Sequence, residues 1–332
     1  MKVLIVKMSS MGDLIHTLPA LTDAKKARPD IQFDWVAEEG FSEIPLWHPA
    51  VDKVIPIALR RWRKNSVSSI KEGQITDFIR RIKADEYDCI IDAQGLIKSA
   101  VVSRLAKGAL HGMDAGSCKE SPAAFFYHHR YAISKQAHAI ERVRRLFAQT
   151  LDYSFQEETL DYGLTASCFK AQDMAKPYLV FLHGTSADNK LWPVEQWKSL
   201  AHMAIKQHYT VYLPWGNEQE RVRSEIIAEN NDACQVLPKM NLTDIAGCLA
   251  HASAVVGVDT GLAHLAAALS IPGITLYVDT YPKYTGACGK QQLCMSQMKR
   301  EQPLLTTAGL VVMNSKQLLA EEVWQQLEQS ME

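Results

Sequence analysis

The sequence predicts an α/β fold made of two doubly wound halves. Three observations carry that reading. The chain has 332 residues, enough for about two domains. Short apolar, β-branched runs alternate with segments of helical period, which implies parallel βαβ units. That alternation starts afresh after residue 170.

The elements follow in order. Residues 3–6 (VLIV) read as a strand, residues 7–13 as a polar loop, and Leu14, Ile15, Leu18 and Leu21 as one face of a helix. Residues 31–36, 54–57 and 89–92 continue the strands, the last reached through an amphipathic helix around 75–83. Helical patterns follow near 98–105 and 137–151. In the second half, residues 178–182, 210–213, 236–237, 254–258 and 274–278 read as strands. Residues 197–207, 218–230, 242–250 and 262–269 read as helices between them. The polar stretch 153–176 marks the boundary, giving domains at 1–165 and 170–312. A last helical pattern at 315–329, within the terminal segment 315–332, could pack on either half, including back on the first.

Composition narrows the function. Apolar residues make up 47% and charged residues 22%, which excludes disorder, collagen and coiled coil for the chain as a whole. Lys+Arg is 36 and Asp+Glu 37, a net charge of −1, unlike a general nucleic-acid binder. The seven cysteines form no C-x-x-C pair, so reduced intracellular thiols are expected. The apolar run near the N-terminus is too short for a secretory leader, and no stretch reaches the ~18 apolar residues of a membrane span. A cytosolic protein is expected, with work at a membrane surface still open.

Ligands of doubly wound sheets bind beyond the carboxyl ends of the strands, so residues that follow strands are the candidates. The first such loop lacks G-x-G-x-x-G, which argues against a dinucleotide grip. It holds Asp13 at a helix start, either as an N-cap or as a general base, and both can hold together. In the second half, residues 255–264 (VVGVDTGLAH) run from a buried strand through a glycine turn into a helix, whose first amides suit a diphosphate. Residues 183–193 carry small hydroxyls and Lys190 after another strand; they could hold phosphate oxygens or form an ordinary capping loop. RRWRK at 60–64 is the most concentrated basic run, either a solvated face or a grip on an anionic, partly hydrophobic acceptor. Arg142, Arg144 and Arg145 read as an exposed helix face. His128 and His129 are adjacent and diverge, without metal-ligand spacing.

With these segments in order, the sequence resembles the bacterial lipopolysaccharide heptosyltransferases, nearest the heptosyltransferase I branch. The resemblance rests on VLIVKMSSMGDLIHTLP at 3–19, residues 33–40, 60–64, IDAQGLIKS at 91–99, residues 181–192, LPWG at 213–216, LPKM at 237–240 and VDTGLAH at 258–264. It implies a GT-B fold, two Rossmann-like domains facing a central cleft. The donor implied is ADP-L-glycero-D-manno-heptose and the acceptor Kdo2-lipid A at the cytoplasmic face of the inner membrane. The implied reaction inverts the anomeric centre, without cofactor or bound metal.

Asp13 then matches the family's general base, and Lys190 its donor-phosphate lysine. Thr185, Ser186, Thr260, Gly261 and His264 fall on the diphosphate site, Asp259 on the donor sugar, Glu220 on the ribose and Met240 beside the adenine. Ser10, Gly12, Arg60, Arg61, Arg63, Lys64, Gln94 and Lys98 fall on the acceptor side. The sequence departs from the family at residues 278–282 (VDTYP), where a G-P-T-D-P-like turn is common, and slightly at residues 183–186. Heptosyltransferase II, another GT-B nucleotide-sugar enzyme such as an epimerase, and a non-catalytic nucleotide-binding module are the alternatives. The RRWRK run and the residues at 92–98 favour heptosyltransferase I among the enzymes.

Overall fold

The computed structural model describes residues 1–64, 73–297 and 308–331. The described chain divides into two units: residues 1–157 with 161–163, and residues 158–160 with 164–331.

Among the described residues, the strands of the first unit are β1 (Lys2–Val6), β2 (Gln32–Glu38), β3 (Val51–Ile57), β4 (Glu86–Asp92), β5 (Lys107–Met113) and β6 (His129–Tyr131). Its helices are α1 (Met11–Ile15), α2 (Leu18–Ala27), α3 (Glu43–Leu46), α4 (Leu59–Lys64), α5 (Gln74–Ile82), α6 (Ile97–Ser103) and α7 (Ala139–Leu151). The sheet is parallel in the order β3-β2-β1-β4-β5-β6. β1 lies at its centre with Val3 to Val6 fully buried, which is why the strand reads as an unbroken apolar run. β5 (KGALHGM) and β6 have no apolar run to announce them.

Arg144 on α7 is buried, against the expectation of an exposed face. Its Nε donates to Asp23 Oδ2 on α2 at 2.6 Å, Nη2 reaches Oδ1 and the Gln156 carbonyl, and the guanidinium lies 4.2 Å from the Phe155 ring centre. The pair compensates a charge that burial alone would penalise. Arg145 does sit on the outer face, with Glu141 and Glu157.

The second unit repeats the plan. Its strands are β7 (Tyr178–Leu182), β8 (Thr210–Leu213), β9 (Cys234–Val236), β10 (Ala254–Val258), β11 (Gly273–Tyr277), β12 (Gln292–Ser296) and β13 (Val311–Asn314). They form a parallel sheet in the order β13-β12-β11-β10-β7-β8-β9. The helices are α8 (Val194–Lys206), α9 (Glu218–Ala228), α10 (Leu242–Ala250), α11 (Gly261–Ala268) and α12 (Ala320–Met331). Counted from its own first strand, this order is that of the first unit with one strand added.

Helix α12 belongs to the second unit. It packs on α8 and β11. Leu318, Ala320, Val323 and Leu327 are fully buried in the core that holds Phe181, Trp192 and Trp197. Trp192 Nε1 donates to the Leu318 carbonyl at 2.8 Å, and the Ala320 amide to Gln196 Oε1 at 2.7 Å. Leu327→Ala is therefore expected to cost about 2–5 kcal/mol of stability, read as a lowered urea midpoint for the second unit. A loss below 1 kcal/mol would mean that α12 is peripheral to that core.

Candidate functional site

The first unit gathers its charged side chains where β1 and β4 end side by side. Chain continuing from β1 brings Lys7 under the strand ends, where its ammonium is almost wholly buried. Lys7 Nζ donates to the Ala93 carbonyl just past β4 at 3.0 Å and stands 3.4 Å from Asp13 Oδ1. Gln94 is buried and ties the two loops together, its Oε1 accepting from the Met8 amide at 2.8 Å.

Ser10, not Asp13, is the cap residue of α1. Asp13 lies in the first turn and returns its carboxylate to the cap, with Oδ2 accepting from the Ser10 amide at 3.0 Å and its hydroxyl at 3.1 Å. Gly12 is buried inside the same turn. Asp13 Oδ1 is left facing Lys7 and, at 3.5 Å, Lys119 Nζ. Burial pushes the Asp13 carboxyl up, but the Lys7 and Lys119 ammoniums and the Ser10 amide outweigh it and hold Asp13 well below the usual carboxylate range. Burial lowers the pKa of Lys7 despite the pull of Asp13.

A small cleft of about 30 Å³ opens on this group, lined by Lys7, Asp13, His16, Gln94, Lys119 and Arg142 among others. Arg142, expected on an exposed face, is partly buried here. Its Nη2 donates to the Ser117 carbonyl at 2.5 Å and contacts Met113 Sδ, while its buried Nε has no partner. Asp13 thus sits in a cationic cleft suited to an anionic group beside a hydroxyl.

The basic run at 60–64 lies on a short helix, α4. The Arg60 amide donates to Glu38 Oε1 at 2.9 Å and its guanidinium lies over Phe41. Arg61 makes a two-pronged pair with Glu39 (3.0 and 2.9 Å) and reaches Gln74, which also accepts from Trp62. Arg63 and Lys64 are exposed. Arg60, Arg61 and Lys64 line a groove of about 400 Å³ with Glu38, Glu39 and Phe41. Lys98 is exposed on α6.

In the second unit the corresponding strand ends are those of β7 and β10. Lys190 Nζ pairs with Asp259 Oδ2 at 2.7 Å, and Thr280 Oγ1 donates to the same oxygen at 3.0 Å. His264, buried in the first turn of α11, stands 3.9 Å from Asp259 Oδ1. Thr185 Oγ1 donates to the Asp259 carbonyl at 3.0 Å, Thr260 is the cap residue of α11, and Gly261 opens that helix. Six predicted residues therefore form one cluster at the amino end of a helix.

Ser186 is exposed on the same loop. Glu220 lies at the start of α9, its Oε2 accepting from the Gly216 amide at 2.7 Å. A Cβ at Gly184 would come within 2.6 Å of the Glu220 carboxyl carbon, so a side chain there would push that carboxylate out of its present place. Met240 meets Cys248 through sulfur at 4.0 Å, away from the cluster's hydrogen bonds. Beneath the loop, His183 is buried with both ring nitrogens unpartnered; burial and the nearby Arg223 charge lower its pKa to about 4.

Lys7, His16, Lys119, Arg142 and Thr280 complete these two groups and were not foreseen as site residues. Lys7 directly follows the apolar run VLIV, and Thr280 lies within the segment that departs from the family pattern. Those were the available signals. Among the described residues, no group of three His, Cys, Asp or Glu is placed to hold a metal ion, and no helix is long and apolar enough to cross a membrane.

Two parallel doubly wound units, one carrying a carboxylate among cations and the other a Lys–Asp pair at a helix start, match what the resemblance to a nucleotide-sugar glycosyltransferase of the GT-B fold leads one to expect. Comparison with known proteins agrees. The profile of glycosyltransferase family 9 (heptosyltransferase) matches residues 75–308. Lipopolysaccharide heptosyltransferase 1 of Pseudomonas aeruginosa is 50% identical over 294 residues, 88% of this chain and 83% of that protein. The structure of Escherichia coli heptosyltransferase WaaC with ADP superposes with a TM-score of 0.89 at 45% identity, covering 99% of this chain and all of that one. The same enzyme with ADP-2-deoxy-2-fluoro heptose gives 0.86 at 44% identity, over 99% of each chain. The chain belongs to glycosyltransferase family 9, the heptosyltransferases, on the heptosyltransferase I branch.

The electrostatics of Asp13 are directly testable. Because its folded pKa is depressed, Asp13 contributes stability that is present above about pH 4 and is lost as pH falls through the folded pKa. In Lys7→Met, the Asp13 carboxyl resonance is expected to titrate about 1–3 units higher than in the wild type. An unchanged titration would assign the depression to other groups.

Proposed function

We propose that the enzyme transfers L-glycero-D-manno-heptose from ADP-L-glycero-D-manno-heptose to the Kdo of Kdo2-lipid A, with inversion, at the cytoplasmic face of the inner membrane. The observation that carries the acceptor half is the Asp13 carboxylate, ionised and aimed into a cationic cleft. The E. coli relative seen with ADP-2-deoxy-2-fluoro heptose supports the donor.

The chemistry follows from the groups present. The acceptor hydroxyl gives its proton to Asp13 as its oxygen bonds to the anomeric carbon. The bond from that carbon to the β-phosphate breaks, and ADP leaves with the electron pair. Base assistance of this kind is typically worth about 10²–10⁴-fold. The leaving diphosphate is held by Lys190, Thr185, Ser186, His264 and the amides at Thr260 and Gly261. Removing such a preorganised donor costs roughly 3–4 kcal/mol of transition-state stabilisation.

Lys190 is paired with Asp259, so the diphosphate draws the ammonium away from that carboxylate. Asp259, released to the donor, accepts from sugar hydroxyls, and Thr280 steadies it. Glu220 accepts from the ribose hydroxyls and Met240 lies by the adenine. On the acceptor side, Ser10, Gly12 and Gln94 lie by Asp13, while Lys98, Arg60, Arg61, Arg63 and Lys64 meet the anionic groups of the lipid. Arg61 is already engaged by Glu39, so the exposed Arg63 and Lys64 are the readier contacts.

The purified protein supplied with ADP-heptose and Kdo2-lipid A should release ADP; no release with any Kdo-bearing acceptor would refute the reading. Asp13→Asn should keep donor affinity and lose more than about a hundredfold in turnover. Wild-type rates in that variant would remove Asp13 from the base role. Replacing Arg60, Arg61 and Arg63 together by Ala should raise the acceptor KM far more than the donor KM. Equal effects on both would move the acceptor elsewhere.

A further inference from the structure

Helix α6 exposes apolar side chains on the face that should be polar. Ser99, Ala100, Val102 and Ser103 are buried, leaving Ile97, Lys98, Val101 and Arg104 outward at positions one helical face shares. Ile97 is 41% and Val101 46% exposed. The segment Ser121–Phe126 packs along this helix and adds Phe125, the most exposed large hydrophobic side chain in the described protein at 78%. A single exposed aliphatic residue needs no explanation, but three on adjoining elements do.

The rim of this patch is basic. Lys98, Arg104 and Lys119 are all exposed around it. Glu120, beside Lys119, is occupied in holding the helix start, its Oε2 accepting from the Ile97 amide at 2.7 Å. The patch is continuous with the Asp13 cleft: Lys119 precedes Glu120, whose own amide donates to the Gly95 carbonyl, and the Lys119 ammonium reaches Asp13.

We propose that Ile97, Val101 and Phe125 form a membrane-docking surface whose partner is a bilayer bearing anionic headgroups. Apolar side chains with basic neighbours match the interfacial region of such a bilayer, taking the first into the acyl boundary and the second to the headgroups. A second copy of this chain fits worse. A two-fold contact through the patch would set Lys98, Arg104 and Lys119 against themselves. The inference rests on the lipid acceptor proposed above. It deepens that reading by naming the face that brings the Asp13 cleft down to the lipid surface.

The test uses the full-length enzyme and flotation with vesicles of phosphatidylethanolamine and phosphatidylglycerol (3:1), with phosphatidylcholine vesicles as the neutral control. The wild type should float with the anionic vesicles and much less with the neutral ones. Phe125→Ser combined with Val101→Ser should lower anionic-vesicle binding by about tenfold or more, each change removing one inserting apolar side chain. Both side chains are surface groups, and an unchanged thermal transition checks the fold. Transfer to a deacylated, water-soluble Kdo2 acceptor should be the same in wild type and variant. That second assay separates the two ideas: loss of transfer in the wild type strikes the acceptor reading, whereas unaltered vesicle binding by the variant overturns the docking surface. A wild type that fails to bind vesicles, or that self-associates through this patch in sedimentation equilibrium, overturns it as well.

Discussion

A parallel sheet wound outward from its centre has one place where neighbouring strands send their connections to opposite faces, and there the strand ends stay uncovered. That constraint governs both units. In the first, the place is between β1 and β4; in the second, between β7 and β10. Lys7 and Asp13 follow β1, and Ala93 and Gln94 follow β4. Lys190 follows β7, and Asp259 with Thr260 follows β10. The fully buried strands behind them (LIV in β1, AVVGV in β10) hold these short loops in fixed register, so polar groups distant in sequence meet within hydrogen-bond reach.

Each of these places carries a lysine bound to an aspartate, and the two pairs differ in a way that suits different tasks. Lys7 is almost wholly enclosed and also tied to a backbone carbonyl, so its charge acts as a fixed part of the floor. Lys190 is one quarter exposed and ends a single 3-10 turn (Asp188–Lys190), with only Asp259 as its ionic partner among the described residues. A buried pair loses most when one partner is removed, whereas a partly exposed pair can be exchanged for another anion at low cost. The first pair sets the state of a carboxylate; in the function proposed above, the second is the one an arriving phosphate opens.

How much of this was legible in the sequence varied with how local the signal was. The apolar runs at 3–6, 178–182 and 254–258 announced strands, and the residues directly after them proved to lie at the strand ends, Asp13, Lys190 and Asp259 included. Strands β5, β6, β12 and β13 went unread because KGALHGM, HRY, QLCMS and VVMN mix glycine, histidine or polar residues into short stretches at or near sheet edges. Arg142 and Arg144 share helix α7 with Arg145, and nothing in their spacing distinguishes the two that turn inward. Their partners, Ser117 and Asp23, come from elsewhere in the chain. The placement of α12 was likewise open, since an apolar stripe says that a face is covered but not by what. The cleft around Asp13 draws on segments near residues 7, 94, 119 and 142, and no local pattern joins them.

The depressed basicity of Asp13 bears on a hazard common to enzymes that handle activated sugars. A carboxylate that takes up protons well would also activate water, and the donor would be wasted by hydrolysis. While the Lys7 and Lys119 ammoniums are committed to Asp13, it is a poor proton acceptor. Under the base role proposed for Asp13, an acceptor whose own anionic group engages Lys119 would withdraw part of that charge and leave Asp13 more basic. Water carries no such group. If Asp13 is the base proposed above, the same electrostatics that keep the carboxylate ionised would let it discriminate between the acceptor and the solvent.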